Sequence, residues 1–267
     1  TVLQIIMDST MKQNFYINSK LKDLISNIIY DVQNYNSIIT KYIDLERCAN
    51  NYCSESRATI VRQSFLINRT MEALNDFNDI NSDSFKLNMN FENISALMNE
   101  ALDSVFDLFK SKRTKITLDN KILTECIVLM DRDKIKRSIL NIFSFIYNII
   151  KINTTMNIKY SLINYDDDKE FLLMNGVDNI SEKDEKILDL NEECIDISIT
   201  FECDNIPDNI KRMLFKTPLI SYDNFNFNNL YLYTAYRIIK EHYGNIWLES
   251  SKNEQMINII FPAKNKL

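Results

Sequence analysis

Between Leu21 and Leu45 the apolar positions fall at Leu21, Leu24, Ile28, Val32, Tyr35, Ile38, Tyr42 and Leu45, in steps of three and four. That spacing predicts one long helix with a heptad-like seam. The Asn- and Ser-containing stretch "CANNYCSES" interrupts it, and a second helix follows with Ile60, Ile67, Met71, Leu74 and Phe77 on one face. Two helices alone cannot bury both seams, so an antiparallel hairpin that pairs with a second copy into a dimeric four-helix bundle is the economical solution. The polar stretch 75–90 predicts a linker or short extended connection.

Beyond it the periodicity changes repeatedly. Ile94, Leu97, Ala101, Val105 and Leu108 mark a third helix, and "KITLD" and "CIVLMD" read as short strands. A helix over about 133–151 turns Ile135, Ile139, Ile142, Ile146 and Ile149 inward. Strands follow at "MNIKYSLIN" and "IDISITFEC", then a helix at "PDNIKRMLF", a helix running into a strand at "NNLYLYTAYRIIKEHYGNIWLES", and a final strand at "MINIIFP". The acidic run "DNISEKDEKILDLNEE" is a solvated excursion. The expected class is α+β, with helices on one face of a sheet behind the hairpin, and the expected boundaries are 1–82 for the hairpin and 83–267 for the mixed unit.

Composition narrows the chemistry. A net charge of −6 argues against the basic surface that nucleic acid requires. No apolar run reaches the roughly 20 residues of a membrane-crossing helix. The chain is expected to work in the cytoplasm, alone or as the cytoplasmic part of a larger, membrane-anchored protein. The odd set Cys48, Cys53, Cys126, Cys194 and Cys203 predicts reduced thiols, and the close pair Cys48 and Cys53 lacks the further ligands of a metal site. Only Gly176, Gly244 and a single histidine, His242, are present, which leaves little material for a glycine-rich phosphate loop. His242, without a partner at catalytic spacing, reads as structural.

Three segments then carry a family likeness: "DRDKIKRSILNIF" (131–143), "CDNIPDNIKRMLF" (203–215), and the helix-to-strand segment with "SSKNEQMINIIFP". In order and spacing they resemble the sensor histidine kinases, in which a dimerisation and phosphoacceptor hairpin precedes an ATP-binding domain of the GHKL, or Bergerat, type. The resemblance spans nearly the whole chain. It implies an α/β sandwich after the hairpin, and a nucleotide site whose chemical residues are missing. The family's magnesium-binding asparagine, four positions after Asn141, falls on Phe145, which offers a hard cation no oxygen. Asp204 stands where the family's aspartate meets the adenine amine, without the Gly-x-Gly turn that follows it there. Two glycines that border the phosphates fall on Asn229 and Tyr231, where backbone strain of about 1–3 kcal/mol per position is the expected obstacle.

The hairpin shows the same pattern. "FYINSKLKDLISNI" (15–28) resembles the phosphoacceptor box, and the histidine falls on Ser19 or Lys20 depending on a one-residue gap. Neither side chain forms the family's phosphoramidate. By the resemblance, a response regulator would dock on the first helix near Lys22, Ser26, Ile29 and Tyr30. Tyr231, Tyr233 and Tyr236, with Phe225 and Phe227, would fill the vacated cleft. The expected protein is a degenerate, non-catalytic homodimer without cofactor or metal that regulates phosphorelay signalling by binding a response regulator or a sensor kinase. The alternative is a divergent ATP-binding kinase or phosphotransfer protein acting on a partner.

Overall fold

The structure is a computed structural model that describes residues 25, 28–43, 54–82, 85–119, 126–164, 193–211, 213–222, 225–251 and 254–263. Ser19, Lys20, Lys22, Ser26, Cys48 and Cys53, and nearly all of the acidic excursion, lie outside them. The chain is helical over 28–43 (α1). There follow α2 (Ser54–Ile80), β1 (Asn90–Asn93), α3 (Ile94–Ser111), β2 (Lys115–Asp119), β3 (Ile127–Met130) and α4 (Arg132–Ile149). After these come β4 (Thr155–Asn164), β5 (Glu193–Glu202), the single turn α5 (Asp208–Lys211), β6 (Leu219–Tyr222) and β7 (Phe225–Asn228). The described chain closes with α6 (Leu230–Glu241), β8 (Asn245–Ser251) and β9 (Glu254–Pro262).

The main sheet has the order β2-β4-β5-β9-β8, parallel only between β2 and β4. Its register stacks apolar residues on one face: Ile197 lies between Tyr160 and Ile259, and Ile199 between Ile158 and Ile257, all buried. The alternate residues are polar and pair among themselves, as Ser161 and Ser198 do by donating to Asp196. A period of two therefore sends one face into the core. There it joins the inward stripes of α3, α4 and α6 in one hydrophobic cluster.

Caps fix where the helices begin. The Asn93 side chain accepts from the Ala96 amide at the start of α3, and Asp131 accepts from the Lys134 amide at the start of α4. The expected inward stripes hold: Ile94, Leu97, Ala101, Val105 and Leu108 of α3, and Ile135, Ile139, Ile142 and Ile146 of α4, are all buried.

Four expectations change. α2 continues to Ile80, shortening the connection expected over 75–90, because Asp76 and Ile80 are buried against the rest of the molecule. The helix expected across 207–215 is one turn followed by turns, closed by the Met213 and Leu214 amides donating to the Ile210 carbonyl. The short strands β1, β6 and β7 were not legible from alternation. Finally, the buried residues of α2 include Thr59, Leu66, Arg69, Thr70, Ala73, Asp76 and Ile80, while Met71 of the expected face is exposed. Ile60, Ile67, Leu74 and Phe77 of that face are half-buried, the last two against the core, so apolar periodicity found only the edge of a buried face that is partly polar.

Candidate functional site

Helices α4 and α6 pack side by side, and α2 lies across both. Asn141 projects from α4 into this junction and is fully buried. Its amide donates to Thr234 Oγ1 of α6 at 3.0 Å, and its carbonyl accepts from the Arg69 guanidinium of α2. Arg69 also donates to the Arg137 carbonyl at 3.2 Å and pairs with Glu72. Burial pushes its pKa down, but a guanidinium remains charged at neutral pH. Both sides of Asn141, the residue from which the metal position is counted, are thus used by protein groups.

Phe145 lies one turn further along α4, with 2% of its surface accessible. It is part of the hydrophobic cluster, and its ring carries no donor atom for a cation. Among the described residues no group of His, Cys, Asp or Glu side chains is disposed to hold a metal ion.

Tyr231 sits in the first turn of α6, buried, with its hydroxyl 2.7 Å from Thr70 Oγ1. Thr70 donates to the Leu66 carbonyl, which makes the tyrosine the donor to Thr70. Burial raises the phenol to about 12, against a smaller opposing effect of the Thr70 hydrogen bond. Asn229, also buried, donates through its side chain to the Leu214 and Thr217 carbonyls and so ties the chain before α6 to the turn after α5. Asn229 has φ −100°, and the described non-glycine residues at positive φ are Arg113, Asn153 and Tyr243. Neither 229 nor 231 therefore carries the expected positive-φ strain in this backbone, and both side chains fill space and make hydrogen bonds.

A second band of contacts extends the junction. Asp76 of α2, fully buried, lies 3.2 Å from an Arg137 nitrogen and 3.6 Å from Lys134 Nζ. Burial pushes its carboxyl up, and the two cations pull against that. Lys134 also reaches Asp79 at 3.0 Å. Phe77 meets Tyr233 with ring centroids 5.8 Å apart, so Tyr233 packs against α2, whereas Tyr236 packs against Phe215. The side chains of Phe225 and Phe227 lie outside the description. Helix α2, which the cleft-filling expectation did not include, is what covers Asn141 and Tyr231.

Asp204 is elsewhere, with its side chain 96% exposed and 3.1 Å from Lys151 Nζ. Ile29 and Tyr30 are both exposed on α1, while Ile28 beside them is buried. His242 is structural: Nε2 accepts from the Asp131 amide at 3.0 Å, which leaves Nδ1 to donate to the Ile238 carbonyl at 2.6 Å. Burial lowers its pKa and keeps the ring neutral. The adjacent Gly244 serves packing, since a Cβ there would lie 2.7 Å from the Ile260 carbonyl oxygen.

No family model matches the chain, and no curated protein does. The fold is that of histidine kinases, with a helical part and an α/β domain of the ATP-binding type. AdeS from Acinetobacter baumannii superposes with a TM-score of 0.54 at 14% identity, over 88% of this chain and 98% of that one. ThkA, solved in complex with the response regulator protein TrrA, gives 0.56 at 14% identity over 95% of this chain and 65% of that one. Full-length ShkA in complex with AMPPNP gives 0.53 at 11% identity, over 92% of this chain and 46% of that one. Among the described residues no helix is long and apolar enough to cross a membrane.

Proposed function

We propose that this chain is a non-catalytic, histidine-kinase-like signalling protein that acts by binding a response regulator or a sensor kinase. The observation that carries the reading is the junction of α2 with α4 and α6. Arg69 and Thr70 are hydrogen-bonded to Asn141 and Tyr231, on the surface that the family resemblance assigns to nucleotide, and Phe145 takes the metal position. A nucleotide would have to displace a buried helix and find another source of oxygen ligands.

The hairpin supports the partner side of the reading. Ile29, Tyr30, Ile38 and Ile43 expose apolar surface along α1, Ile25 does so just before it, and Met71 does so on α2. Apolar residues in such numbers on a two-helix hairpin favour association. On this reading a homodimer would cover part of this surface, and a response regulator would dock on the Ile29 and Tyr30 face, whose side chains are exposed.

The test is thermal denaturation with and without millimolar Mg-ATP. A ligand at a hundredfold its dissociation constant stabilises a fold by about 2.7 kcal/mol. The expected result is no shift in Tm; a clear rise would favour the divergent kinase, with Asp204 as its adenine anchor. Light scattering at micromolar concentration is expected to return the dimer mass, and a monomer would reject the four-helix bundle.

A further inference from the structure

The N-terminal half of α2 parts from α3 and leaves a groove of about 530 Å³. Val61, Phe65 and Leu108 supply its apolar lining. Among the described residues, Arg62 on one wall and Lys110 on the other bring cations to it, with Arg57 engaged in a contact of its own, against the carboxylate of Asp107. This local sign runs opposite to the chain as a whole, whose net charge is −6. Val61 is 68% exposed, and Phe106, four residues before Lys110 and on the same side of α3, is 56% exposed.

Apolar side chains flanked by cations between two helices form the surface that receives an amphipathic helix with acidic edges. A small anion has no use for the apolar floor, and a basic segment is repelled by the rim. We propose that this groove docks an acidic amphipathic helix of a partner protein. Its apolar side rests on Val61, Phe65 and Leu108, and its carboxylates meet Arg62 and Lys110. Arg62 is already held by donating to Thr59 Oγ1 at 2.9 Å, which orients the guanidinium on the helix surface. The groove involves neither Asn141 nor Tyr231, nor the Ile29 and Tyr30 face of α1. It therefore stands or falls separately from the nucleotide reading.

The experiment uses the full chain and a fluorescein-labelled helical peptide with Leu at i, i+3, i+4 and i+7 and Glu at the flanking positions, followed by anisotropy. A second peptide carries Lys in place of Glu. Saturable binding of the acidic peptide is expected, with the basic one at least about tenfold weaker. Arg62→Glu and Lys110→Glu are each expected to weaken the acidic peptide at least about tenfold with Tm unchanged, and added salt to weaken it several-fold. Equal affinity for both peptides, no binding up to millimolar peptide, or indifference to both variants overturns the proposal. A Val61→Glu chain that turns from dimer to monomer also overturns it, by assigning the groove to a second copy.

Discussion

One helix, α2, meets two different surfaces along its length. From Leu66 to Ile80 it is sealed onto α4 and α6, with Leu66, Arg69, Thr70, Ala73, Asp76 and Ile80 all buried. From Arg57 to Phe65 it borders an open groove, and Val61 stands 68% exposed. Both halves have ordinary helix-forming sequences. What differs is the floor: α4 and α6 offer Asn141, Tyr231 and the Arg137 carbonyl as polar partners, which lets a buried Arg and Asp be tolerated there. On the proposed reading, the sealed half covers the surface that the family resemblance assigns to nucleotide, and the open half borders the groove proposed to dock a partner helix.

The largest expected effect that separates the halves comes from Arg69→Ala. It leaves the Asn141 and Arg137 carbonyls without their donor and Asp76 with one fewer nearby cation, and should cost about 3–4 kcal/mol in chemical denaturation. Leu66→Ala should cost about 3 kcal/mol by opening a cavity. Val61→Ala, five residues away on the exposed half, should stay within about 0.5 kcal/mol. Similar costs at 61 and 66 would erase the distinction.

Tyr231→Phe removes only the donor to Thr70, and a loss of about 1 kcal/mol is expected. The smallest effect concerns His242, which joins the end of α6 to the start of α4 beneath the sealed half. Its folded pKa lies below the ordinary 6.5 because burial disfavours the charged ring. Unfolded chains therefore bind a proton that the folded one resists, so stability is full above about 6.5 and falls as pH drops toward the folded pKa. His242→Asn should flatten that slope in denaturation curves recorded across pH 7 to 5, and an unchanged slope would assign it to other groups.

Strong, one-sided periodicities were legible in the sequence. The apolar stripes of α3 and α4 and the alternating apolar positions of β4 and β5 face the hydrophobic core, so pattern and burial coincide there. Alternation failed for β1, β6 and β7, which are only four residues each and do not belong to the main sheet. At the candidate site, the family resemblance pointed to Asn229, Tyr231 and Phe145, but not to what covers them. Arg69 and Thr70 carried no signal in the sequence, because the contacts that bury them reach Arg137 and Asn141, 68 and 72 residues away, and Tyr231, 161 residues away. No local pattern encodes such a pairing.

Hydrogen–deuterium exchange along α2, with and without millimolar Mg-ATP, tests most directly whether this helix closes the nucleotide-facing surface. The account predicts that amides of residues 66–80 exchange as slowly as those of α4, that residues 57–65 exchange faster, and that Mg-ATP changes neither half. Exchange of 66–80 at the rate of the N-terminal half, or a marked change there when Mg-ATP is added, would contradict it.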